Sequence, residues 1–253
     1  MSDSISFAGR ITARLQRYEF ELLAPTCGRD DSGSIREICR FRSGVYREFG
    51  SLPRGPDDNF DAGDRIAWHI VARGEGSIIG CVRCIVFDDA SARDVPESIL
   101  RYSCCALRLG DRVRCIAAMR SFIASRWPPH SVFPHARLVQ FGGLAVSSRY
   151  RRSPVAIGLC LAATAFTRAV GSPGGLVLAA EKSRPEALFQ QAGGFRLCLD
   201  GEPLAPLLDQ FHLDRIILLG TSPFGNAARL ESSVTHFSSS LFSEHTGTEV
   251  ICA

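Results

Sequence analysis

Residues 138–161 read LVQFGGLAVSSRYRRSPVAIGLCL: an apolar run broken by two glycines, a turn with three arginines, then a proline and a second apolar run. Glycine inside a strand lets it bulge or lets another group approach its backbone. Proline suits the first turn of a helix, and Pro154 stands where a helix would begin. A strand that opens and feeds a helix N-terminus can hold a ligand through backbone N–H groups. Gly143, Leu144 and Val146 are the candidate donors, with Arg149, Arg151 and Arg152 beside them. An ordinary strand with a glycine kink is the alternative. Arg83 lies in GCVRCIVF, an otherwise apolar run, and a buried arginine needs a carboxylate partner. His69 sits in another strand-like run, as a base for neutral pH or as a structural side chain. Cys81 and Cys84 form a CxxC, but residues three apart in a strand point to opposite faces, which argues against shared metal ligation. Cys104 and Cys105 have no histidine at zinc-finger spacing, so no metal site is expected.

These residues need a scaffold, and the composition is that of a globular protein: 45% hydrophobic and 22% charged over 253 residues. A net charge of +3 is too small to argue for nucleic acid. The opening MSDSISFAGR has neither a basic region nor an apolar core, so no secretory signal is expected. The most apolar helical stretch, 155–170, is short for a membrane span and contains Thr164, Thr167 and Arg168. No transmembrane segment is therefore expected. Ten cysteines without an export signal imply reduced thiols and a cytoplasmic location.

Along the chain, YEFELLA at 18–24 alternates like a half-buried strand. A helix is expected over 35–49, capped by Ser34 and Glu37, with Phe49 on its buried face and Gly50 at its end. Residues 51–64 read as a loop. Runs at 66–72 and 77–87 form a hairpin around Gly74-Glu75-Gly76. Residues 97–127 read as two helical pieces broken near Gly110. After the 138–161 element come a short strand at 176–180, a helix from Pro185 to the Gly193-Gly194 pair, and strands at 195–199 and 213–219. From Thr221 the chain is rich in serine and threonine and reads as weakly packed. One α/β domain over 1–220, with a helical insertion at about 89–134, and a tail over 221–253 follow. A mixed sheet with helices on both faces fits this order.

That order, with LAVSSRYRRSPVAIGLCLAATAF and ALFQQAGGFRL, resembles the GNAT superfamily of N-acyltransferases, whose central sheet is mostly antiparallel. RFRSGVYREFG, DDNFD and GCVRCIVF are similar to one branch, the acyl-homoserine-lactone synthases and related N-acyl amino acid synthases. The resemblance implies transfer of an acyl group, often long-chain, from acyl carrier protein or acyl-CoA to the amino group of a small amine such as an amino acid. The thioester donor is then a co-substrate, with no permanently bound cofactor, and acyl carrier protein is a possible partner. Ordinary CoA-dependent acetylation and acyl binding without turnover are the alternatives.

By this resemblance Gly143, Leu144 and Val146 would polarise the thioester carbonyl. Asp58 and Asp61 match acidic residues of the branch and would pair with Arg42 or Arg83, either binding the acceptor's charges or forming a structural ion-pair network. Three departures bear on mechanism. Arg152 and Pro154 replace glycines of the pyrophosphate loop, which weakens a backbone cradle for coenzyme A. Gln140 and Gly143 replace a glutamate and an arginine of the branch, and glutamine takes no proton. Phe189 stands where many relatives have a tyrosine that protonates the leaving thiolate. Catalysis is assigned to Gln140, Asp61 and His69, the first two acting through water. The remaining arginines of the insertion and the loop offer either a basic surface for an acidic carrier protein or ordinary solvated faces.

Overall fold

The computed structural model describes residues 13–26, 33–50, 60–88, 94–103, 107–126, 137–209, 215–222 and 231–242. The elements are β1 Glu19–Leu23, α1 Gly33–Glu48, α2 Ala62–Ile66, β2 Trp68–Gly74, β3 Ser77–Phe87, α3 Val95–Arg101, α4 Leu109–Arg126 and β4 Leu138–Val146. A short 3₁₀ turn, Ser148–Tyr150, leads into α5 Val155–Ala169. Then follow β5 Gly175–Ala180, α6 Pro185–Gln191, β6 Gly194–Arg196, β7 Cys198–Leu199, β8 Glu202–Pro203, β9 Leu207–Leu208, β10 Arg215–Thr221 and α7 Glu231–Phe242.

The main sheet has the order β1-β2-β3-β4-β5-β10-β6, with β9 also on β10 and β7-β8 as a separate small hairpin. Among the described residues only β4 and β5 run parallel; the other pairs are antiparallel. The β2–β3 hairpin turns at Glu75 (φ 52°) and Gly76 (φ 76°), and two successive positive φ values match the right-handed twist of the flanking strands. One face of the sheet carries Val71, Cys81, Ala145, Leu138, Leu176 and Leu218, under α1, α3 and α4. The other carries Ile70, Val82, Phe141, Val177 and Leu219, under α5, α6 and α7. Cys81 and Cys84 fall on opposite faces, as the strand period requires.

α5 is buried on nearly all sides, because the sheet lies under it and α7 lies over it. Val234, Phe237 and Leu241 of α7 all enter the core, and Phe237 meets Phe20 of β1 edge to face at 4.9 Å. Arg168 of α5 donates to both Glu231 oxygens, at 2.6 and 2.8 Å. The weakly packed tail expected after Thr221 therefore gives way to a packed helix over Glu231–Phe242. Ser232, Thr235, Ser239 and Ser240 occupy its outward face and Ser233 is buried; they lower its mean hydropathy without touching the apolar spacing.

Smaller differences have local causes. Ser34 lies inside the first turn of α1 and does not cap it. Phe49 is 44% exposed, because α1 ends at Glu48 and Arg151 stacks on the ring from outside. α2 occupies the expected loop before β2, so the strand begins at Trp68. The break in the 97–127 region falls before α4, and Gly110 sits within its first turn. The expected strand 195–199 splits into β6 and β7. Asp58, Arg93, Cys104, Cys105 and Pro128-Pro129 lie outside the described residues.

If α7 is part of the core, Phe237→Ala lowers stability by about 3–5 kcal/mol, read from thermal or urea unfolding. An unchanged transition would return the segment to a loose tail.

Candidate active site

β4 and β5 pair only from Val139–Phe141 against Gly175–Val177. Beyond that point β4 continues along β3 to Val146, while β5 continues along β10 to Ala180. The two strands thus part in mid-sheet. Gly142, Gly143 and Leu144, at the parting, are half-buried between fully buried neighbours. At the same place Gly143 and Leu144 together oppose the single residue Val82, a β-bulge. Gly143 adopts φ +63°, and a Cβ there would stand 3.1 Å from Arg42 Cδ. Both constraints select glycine. The thiol of Cys81 donates to Gly143 O at 3.7 Å, and the Tyr46 hydroxyl donates to Leu144 O at 3.4 Å. Peptide groups of β4 past Phe141 have no pairing from β5, which leaves an edge open to an extended ligand.

A buried charge cluster underlies the bulge. Asp61 and Asp64 form a capping box at the start of α2: Asp64 N donates to Asp61 Oδ1, and Asp61 N to Asp64 Oδ2, both at 3.0 Å. Arg42 of α1 donates to both Asp64 oxygens, at 2.8 and 2.7 Å. Arg83 of β3 donates to Asp61 Oδ1 at 2.8 Å, to Asp64 Oδ1 at 3.1 Å and to the Tyr102 carbonyl at the end of α3. Arg42, Arg83 and Asp64 are 1%, 2% and 0% exposed, whereas the Asp61 side chain is 38% exposed. Asp61 is the member of the cluster that solvent or a substrate reaches.

The electrostatics follow from this geometry. Burial raises the Asp64 carboxyl, but hydrogen bonds and charge from Arg42, then charge from Arg83, hold it well below the usual carboxylate range. Burial pushes the Cys39 thiol up to about 12, so it stays protonated beside Arg42. Burial lowers the His69 imidazole, and its Nε2 lies 3.1 Å from the Asp64 carbonyl oxygen. A neutral ring carrying its proton on Nε2 fits that contact. Its Nδ1 is buried with no hydrogen bond among the described residues.

The remaining candidates divide. Gln140 Nε2 donates to Ile99 O at 3.1 Å and Ser103 Oγ at 3.0 Å, fastening the end of α3 to β4. Val146 ends β4, fully within the sheet. Arg151 donates to Glu48 at 3.0 Å and stacks on Phe49 at 3.7 Å, joining the loop to α1. Arg149, over the Tyr150 ring at 5.7 Å, and Arg152 are exposed. Phe189 is in the core. The sequence reading missed Asp64, Tyr46 and the α3 terminus. Asp61-x-x-Asp64 has capping-box spacing, and Arg42 follows Ile38 and Cys39 on the buried stripe of α1, so two of the signals were present.

A mixed, mostly antiparallel sheet whose parallel pair splays beside a bulge, followed by a loop and a buried helix, is the GNAT-like fold that the sequence resemblance implies. Among solved structures, a CoA-dependent acyl-homoserine lactone synthase, BjaI, aligns over 87% of this chain and 89% of its own, with 12% identity and a TM-score of 0.53. A second CoA-dependent synthase of that kind, MesI, aligns over 87% and 95% at 16% identity and 0.51. The AHL synthase LasI aligns over 85% and 94% at 11% identity and 0.50. No protein-family model matches the sequence, and no curated protein does.

Asp64→Asn leaves two buried guanidinium groups short of charge and costs about 3–5 kcal/mol in urea unfolding. The pH dependence has two stages. His69 has a lower pKa folded than unfolded, so its contribution is present above about pH 6.5 and is lost as pH falls below it. Asp64 is likewise depressed, and its contribution is lost only below about pH 4. Stability of the wild type therefore declines from about pH 6.5 downward, and His69→Gln removes that first decline while leaving the second.

Proposed function

We propose that this chain is an N-acyltransferase that moves an acyl group, fatty acyl by preference, from a thioester to the amino group of an amino acid or similar small amine. The observation that carries the reading is the parting of β4 from β5 beside the Gly143–Leu144 bulge. An extended pantetheine arm can take up the peptide groups that β5 leaves, with the thioester oxygen at the bulge N–H groups. In this reading Arg149 and Arg152, exposed on the loop into α5, meet the donor's phosphate, whether on coenzyme A or on a carrier protein. BjaI and MesI are CoA-dependent synthases, which favours trying coenzyme A donors alongside carrier-protein donors.

The amine attacks the carbonyl carbon, the C–S bond breaks, and the amine's proton passes to Asp61 directly or through water. Arg42 and Arg83, occupied by carboxylates, act as positioning residues that hold Asp61 at the surface, in place of the acceptor-binding role expected for them. Gln140 and His69 support the site without moving a proton. The Tyr46 phenol, on Leu144 O, protonates the leaving thiolate, which Phe189 cannot do. The second reading, an acyl-binding module without turnover, draws support from Gln140: its amide is committed to α3 where the related branch has a glutamate.

Mass spectrometry of the purified protein with acyl-ACP, acyl-CoA and pooled amino acids should reveal an N-acyl product with at least one donor. Asp61→Asn and Tyr46→Phe each lower kcat by about a hundredfold, Tyr46→Phe with the melting temperature unchanged and Asp61→Asn with a lower one, because the buried Arg83 loses a carboxylate partner. If neither donor gives product while native mass spectrometry shows bound acyl thioester, the binding module is correct.

A further inference from the structure

A helix packed on a sheet normally turns polar residues outward. α4 turns Arg112, Arg114, Arg120, Ser121 and Ser125 outward, but it exposes two large apolar side chains among them. Its inner face, Cys115, Ala118, Met119 and Phe122, is buried against the core. Its outer face presents Leu109, 80% exposed, and Val113, 60% exposed, one turn apart, with Ala117 a further turn along. Arginines border this stripe. Arg108 and Arg112 are exposed and form no ion pair among the described residues; Arg114 pairs with Asp111, and Arg120 with Glu97. Residues 94–126 hold six arginines against three carboxylates, an excess equal to the +3 of the whole chain. The remaining residues carry equal numbers of basic and acidic side chains, and the excess arginines of this segment include Arg108 and Arg112 beside the exposed apolar pair.

Protruding apolar side chains ringed by arginine suit a surface that offers both hydrocarbon and negative charge. We propose that the outer face of α4 docks on an anionic phospholipid bilayer, with Leu109 and Val113 entering the acyl boundary and Arg108 and Arg112 meeting headgroup phosphates. This is surface attachment: among the described residues no helix is long and apolar enough to cross a membrane. A second copy of the chain fits less well, because a two-fold contact would bring the arginine rows together. A carrier protein fits less well too, because the arginine loop that leads into α5 is joined through Arg151 and Glu48 to α1, a different element from α4.

Flotation of the purified full chain with phosphatidylcholine vesicles, with and without phosphatidylglycerol, tests the proposal. Binding is expected only with phosphatidylglycerol and should weaken as salt is raised. Leu109→Asp with Val113→Asp should lower binding about tenfold or more without moving the melting temperature, since both side chains are exposed. Arg108→Gln with Arg112→Gln should weaken binding and flatten its salt dependence. Three results overturn the proposal: no flotation with phosphatidylglycerol, wild-type flotation by the Leu109/Val113 variant, or a dimer or carrier-protein complex that this variant disrupts while vesicles are ignored. The readout requires no acyl transfer, so its failure and that of the proposed reaction are separable.

Discussion

The structure depends on the pairing of Arg42 with Asp64. Two charges are taken fully out of water, a step that costs several kcal/mol per ion unless every polar site finds a partner. Here the carboxylate accepts from two arginines and a backbone N–H, in good geometry. The cluster also joins four elements: α1 supplies Arg42, α2 supplies Asp64, β3 supplies Arg83, and Arg83 reaches the end of α3. Apolar residues in these positions could fill the space, but they would not fix the four elements in one register. The ion pair specifies an arrangement as much as it stabilises one.

The bulge is shaped by the same constraint. Arg42 lies against the backbone where a side chain on residue 143 would stand, so glycine there serves both the left-handed φ and the close approach. The guanidinium beside the bulge comes from α1, and it is held by Asp64. Gln140 and Arg83 pull the α3 terminus onto the same face of the sheet. The rim of the site is thus made by hydrogen bonds rather than by close-packed hydrocarbon.

Much of the fold was legible from local pattern. The glycine-containing turn gave the β2–β3 hairpin, and the glycines, arginines and Pro154 of 138–161 gave a strand, a turn and a helix in the right order. What stayed hidden was non-local or masked by composition. The parting of β4 from β5 is a difference in pairing length between two partners, and no single segment encodes it. Arg42 and Asp64 are 22 residues apart, and reading the intervening stretch as loop removed the carboxylate from view. α7 keeps apolar residues at i, i+3 and i+7, but its serines and threonines masked them. Phe49 fell on the apolar stripe of α1 by spacing alone, yet it lies past the end of the helix and meets Arg151.

The packing of α7 has a consequence for how the molecule is made. α5 is apolar on almost every side, and the element that covers its outer side is translated more than sixty residues after it. β10, which fills the gap between β5 and β6, also arrives late. During vectorial synthesis the nascent chain must therefore carry an uncovered apolar helix and an unfilled sheet position until these segments leave the ribosome. Such a chain is a natural client for a holdase chaperone, and slowed elongation before α7 has emerged would lengthen its most aggregation-prone interval.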